Sequence, residues 1–64
     1  MTYTKTEKLF SPQFGVRTYY FKKDEVRVIA QWNTGEKGLL ILTPAQAEVE
    51  IECMLTENGF YKLP

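Results

Sequence analysis

The chemistry open to this chain is bounded first by what its side chains lack. There is no histidine and one cysteine, Cys53. A nucleophile paired with an imidazole base therefore has no parts here, and neither does a zinc site built from Cys and His. Cys53 lies in an apolar stretch, where a free cysteine reads as a small core hydrophobe. Glu48, Glu50 and Glu52 cannot all converge on one helix face and read as a solvated acidic surface. Gly35 and Gly38 match neither the dinucleotide nor the P-loop spacing. The expectation is a non-enzymatic binding domain with no cofactor and no metal.

The residues suited to binding sit in a strongly patterned segment. Val16–Phe21 and Val26–Trp32 are rich in β-branched and aromatic residues and flank Lys22-Lys23-Asp24-Glu25, a polar connection of hairpin length. If Phe21 faces Val26, then Tyr19 faces Val28 and Arg17 faces Ala30. Tyr19, Phe21, Val26, Val28, Ala30 and Trp32 then share a core face. The opposite face is wet and mixed. It carries Tyr20, Lys22, Arg27 and Ile29, the candidate partner site, with Lys22–Glu25 and Tyr20–Arg27 as cross-strand neighbours. A slip of one residue would send the charged set into the core, so the pattern fixes the register.

The remaining elements must position that hairpin. Residues 2–10 are Thr-rich, alternate weakly and predict an edge strand. Asn33-Thr34-Gly35 predicts a turn. Leu39–Leu42 is an aliphatic strand without polar alternation, expected to be covered on both faces. Residues 44–58 give two signals. Thr43 suits an N-cap, Pro44 a first helical position and Asn58-Gly59 a C-cap, whereas Glu48–Cys53 alternates with period two. Caps and length favour a helix. It would pack Ala47, Ile51, Met54 and Leu55 on the sheet and leave a second stripe, Ala45, Val49 and Cys53, needing a cover from the N-terminal segment or another subunit. The fold class is α+β, a small antiparallel sheet of four to five strands against one C-terminal helix. The alternating reading of 44–58 would instead give a small all-β barrel.

Sixty-four residues make one domain, 1–64, of marginal stability, for which a partner or a second copy is the expected stabiliser. The N-terminus has no apolar leader and Leu39–Leu42 is too short to span a bilayer, which predicts a cytoplasmic protein with no membrane partner. Net charge is zero but unevenly spread. Residues 1–38 hold seven basic and four acidic side chains, and residues 39–64 hold one and four.

Residues 14–55 resemble the single-stranded-DNA-binding domain of the transcriptional coactivator positive cofactor four. The likeness lies in order and character. A strand with Arg17, Tyr19 and Phe21 leads through Lys22-Lys23 to a Val-rich strand ending in Trp32. Gly35-Glu36-Lys37-Gly38, an aliphatic strand and Thr43-Pro44-Ala45-Gln46 opening a helix follow. The resemblance implies a four-stranded curved sheet backed by one helix, dimers joined through helices, and bases stacked on the sheet side away from the helix, here Tyr20, Arg27, Lys22 and Lys37. The chain departs from that family in its neutral charge, in Ala47 where the family tends to place Trp, and in an added N-terminal strand.

Two functions follow. The favoured one is protein–protein interaction, as an adaptor or inhibitor of a larger machine, because phosphate binding needs a net basic surface that a neutral chain lacks. The alternative is single-stranded nucleic-acid binding as a homodimer. The partner would meet Tyr20, Lys22, Arg27 and Ile29 on the sheet face, or the helix stripe Ala45, Val49 and Cys53, which also serves as a dimer surface.

Overall fold

A computed structural model describes residues 4–63. The elements run β1 (Lys5–Ser11), β2 (Gly15–Phe21), β3 (Val26–Trp32), β4 (Lys37–Leu42), α1 (Pro44–Glu57) and β5 (Tyr61–Lys62). All strand pairings are antiparallel, in the spatial order β4-β3-β2-β1-β5. This is the α+β sheet with one helix that the sequence predicts, and the helical reading of 44–58 holds.

The hairpin forms in the expected register, with Phe21 opposite Val26, Tyr19 opposite Val28 and Arg17 opposite Ala30. Its core face meets α1. Leu9, Tyr19, Phe21, Val26 and Val28 are buried there with Ala47 and Ile51 of the helix and with Phe60, and Leu42, Met54 and Leu55 pack at the margin. The helix begins on a capping box. Thr43 Oγ1 accepts from the Gln46 amide and the Gln46 side chain accepts from the Thr43 amide, both at 3.1 Å, which satisfies two otherwise orphaned donors. It ends at Asn58. Gly59 then takes φ 75°, a left-handed conformation suited to glycine, and turns buried Phe60 back so that its amide donates to the Met54 carbonyl.

Three expectations need correction. β1 is an interior strand, not an edge. It lies between β2 and β5, and Leu9 and Phe10 pair with Lys62 and Tyr61. Thr2 and Tyr3, part of the expected strand, lie outside the described residues. The true long edge is β4, and it is bare rather than covered. Leu39 is 65%, Leu40 49% and Ile41 52% exposed. Trp32 does lie on the helix side, by its alternation with buried Val26 and Val28, yet it is 43% exposed. The physical reason for both is coverage. α1 has 14 residues, about 21 Å at 1.5 Å per residue, and it shields the middle of the sheet rather than the corner where β3 ends and β4 begins.

The Ala47–Ile51 face therefore holds the domain together and the opposite stripe does not. Ile51→Ala should lower the unfolding free energy by about 2–5 kcal/mol. Val49→Ala, at a position 63% exposed, should change it by less than about 0.5 kcal/mol. Urea denaturation of the two variants checks this.

Candidate functional site

Antiparallel register places the candidate partner residues on one side of the sheet. On the side away from α1, three rows cross the strands: Thr6, Tyr20, Arg27 and Ile41; then Lys8, Thr18, Ile29 and Leu39; then Phe10, Val16, Gln31 and Lys37. Tyr20 and Arg27 are direct cross-strand neighbours as expected. Lys22 joins them at the hairpin turn. Its ammonium lies 3.8 Å from Glu25 Oε2, and Arg27 Nε donates to that same oxygen at 3.0 Å. The hydrogen bond from Arg27 holds the Glu25 carboxyl below the usual carboxylate range. Tyr20, Lys22, Arg27 and Ile29 are thus brought together on one surface.

Two residues of that surface were not foreseen. Leu39 stands opposite Ile29, and Ile41 opposite Arg27. With Ile29, itself 41% exposed, they make an aliphatic patch at the β3–β4 end of the open face. Carrying the hairpin register through the Gly35 turn would have located them. The reading of Leu39–Leu42 as a doubly covered strand hid them. At the far end of the same face, Phe10 and Tyr61 meet edge to face, with ring centroids 5.6 Å apart.

The helix stripe Ala45, Val49 and Cys53 is also where the 3.6-residue period puts it, on the side of α1 away from the sheet. Ala45 and Val49 are exposed and Cys53 is half-buried. Burial, aided by the carboxylates of Glu57, Glu52 and Glu50, pushes the Cys53 thiol above its ordinary range, away from the thiolate form that reacts. Residues 5–11 of the N-terminal segment do not cover this stripe, because they are committed to the sheet.

The expected acidic face of the helix divides in three. Glu48 reaches Lys5 at 3.2 Å, and the Lys5 ammonium lies 4.4 Å from the centre of the Phe21 ring. Glu52 is exposed. Glu50, by contrast, is a clamp. Its Oε1 accepts from Arg17 Nη1 at 2.6 Å and from the Tyr19 hydroxyl at 2.8 Å, tying the helix to β2 at the border of the core. Tyr19 has no exposed surface. Burial, first, and the Glu50 carboxylate push its hydroxyl up to about 12. Arg17 and Trp32 line two clefts of about 140 and 160 Å³ on the helix side, below the several hundred cubic ångströms typical of small-molecule sites. Among the described residues no three His, Cys, Asp or Glu side chains gather as metal ligands, and no helix is long and apolar enough to cross a membrane.

Comparison of the chain with protein-family models, with curated proteins and with solved structures finds no match.

The Tyr19–Glu50 contact sets a pH dependence. The folded pKa is raised above the unfolded one, so the contribution is complete below pH 10 and is lost as pH climbs toward 12. Across that interval the wild type should lose on the order of 2 kcal/mol more stability than Tyr19→Phe. Ultraviolet titration of the four tyrosines should show one late-ionising phenol that Tyr19→Phe removes.

Proposed function

We propose that this protein is a non-enzymatic domain that acts by binding another protein, as an adaptor or inhibitor, through the open face of its sheet. The observation that carries the reading is the composition of that face where it is most exposed. Ile29, Leu39 and Ile41 form a contiguous aliphatic patch beside Arg27 and Tyr20, a mixture suited to a desolvated interface core with an arginine and a tyrosine at its margin. Scattered exposed apolar residues are ordinary, whereas three neighbouring ones on one sheet face support reading it as an interaction surface.

The same surface argues against phosphate tracking. Lys8, Arg27 and Lys37 fall in three different rows, with aliphatic side chains between them, and Arg27 is already engaged by Glu25. Single strands need a continuous basic groove with accessible stacking rings. One observation favours the nucleic-acid reading nonetheless: Tyr20, Arg27, Lys22 and Lys37 do share the side away from the helix, the arrangement that resemblance to the positive cofactor four domain implies.

Two experiments separate the readings. Fluorescence anisotropy with a mixed-sequence single-stranded oligonucleotide should show no binding at low salt, where electrostatic attraction is strongest. Salt-sensitive binding would overturn the protein-partner reading in favour of nucleic acid. Affinity capture from the native host should retain a protein with the wild type and lose it, at least about tenfold, with Arg27→Ala/Ile29→Ala. The same double variant should move the urea midpoint little, since both side chains are exposed. Unchanged capture would exclude the open face as the site.

A further inference from the structure

β4 is an unprotected edge. The other outer strand, β5, has two residues. Natural proteins blunt their edges with charges, proline, bulges or short length, and β4 has six residues, no proline and one charge, at its first position, Lys37. Its side chains alternate between the two sides of the sheet and are aliphatic on both. Leu39 and Ile41 face the open side and Leu40 faces the helix side, each about half exposed or more. Such an unbroken aliphatic run belongs to strands with neighbours and covered faces. Next to it, the far edge of the Trp32 indole lies against Gly38. A Cβ at position 38 would meet the ring at 3.0 Å, so the ring sits close against β4 while Trp32 stays 43% exposed.

We infer that a second copy of this chain covers that edge, β4 pairing antiparallel with β4 of the other copy about a twofold axis through Leu40. The two five-stranded sheets become one, with both helices on the same side. The strand is self-complementary in this register. Leu39 meets Ile41 of the second copy, Gly38 meets Leu42 and Lys37 meets Thr43, so side chains that share a face in one copy continue the same face in the other. No like charges are set opposite each other, and a chain of zero net charge is not repelled by its own copy at long range. Leu42 of the second copy arrives beside Gly38 and so beside Trp32, whose exposed surface it reduces. Such an interface is isologous and closes on itself as a dimer. It uses the strand edge, with Leu39 and Ile41 continuing the open face and Leu40 and Leu42 the helix side, and its readout, the oligomeric state, is separate from capture of a foreign protein. It also differs from joining through helices, because Ala45, Val49 and Cys53 point away from the sheet and take no part.

Sedimentation velocity of the full chain between about 1 and 500 µM, a range that spans weak self-association, tests it. The wild type should approach twice the 7.5 kDa of one chain, and dilution should shift the emission of the single tryptophan to the red. Leu40→Lys, checked as folded by circular dichroism, should weaken association at least about tenfold, and Val49→Lys should leave it unchanged. A wild type that stays monomeric at every concentration overturns the inference, even if it captures a foreign protein through this edge. A dimer lost in Val49→Lys but kept in Leu40→Lys overturns it in favour of helix-to-helix association.

Discussion

One helix of fourteen residues has to cover a five-stranded sheet, and most of what is distinctive in this molecule follows from that shortage. Strands lie about 4.8 Å apart, so five of them outrun the width of a single helix of about 10 Å. α1 is therefore spent on the centre, where Tyr19, Val26, Val28 and Leu9 become fully buried. The corner at Trp32 and β4 is left exposed, and among the described residues no element packs over the opposite side of the sheet. The described residues close neither gap, and the contacts proposed above would bury both.

The helix is held in place by directional contacts as well as by burial. The capping box sets where it starts, Gly59 sets where it stops, and Glu50 fixes its lateral position by accepting from Arg17 and Tyr19 together. Truncating one member of such a group leaves the others unsatisfied near the core, which costs more than the pair contributes in net terms. The acidic residues of α1 thus do separate jobs: Glu50 is structural, Glu48 ties Lys5 across the helix side, and Glu52 stays in water.

How much of this was legible in the sequence depends on the range of the interaction. The hairpin register was readable because alternation from Val16 to Trp32 specifies both faces at once, and one slip would bury Arg27. The helix was readable at its ends, through Thr43, Pro44, Asn58 and Gly59, even though Glu48–Cys53 alternates like a strand. Gln46 as the second half of the capping box was equally local and was overlooked. What could not be read was set by non-local geometry. The order of strands decides that β1 is interior and β4 is the edge, and nothing within residues 2–10 or 39–42 encodes it. The exposure of Trp32 likewise depends on where a helix twelve residues downstream runs. Leu39–Leu42 carries the composition of a covered strand, and within one copy of the chain it is not covered. That mismatch between composition and placement points to contacts beyond the single chain.

The open face is the central claim, and the chain carries its own probes for it. Of its three isoleucines, Ile29 and Ile41 lie on that face and Ile51 lies in the core against the sheet's other side. Methyl spectra of isoleucine-labelled protein, recorded free and saturated with the protein it captures, read the three positions at once. Binding through the open face should shift or broaden the Ile29 and Ile41 methyl signals and leave Ile51 in place. Unmoved Ile29 and Ile41 signals in a saturated complex would contradict the account and move the site to the helix side of the sheet.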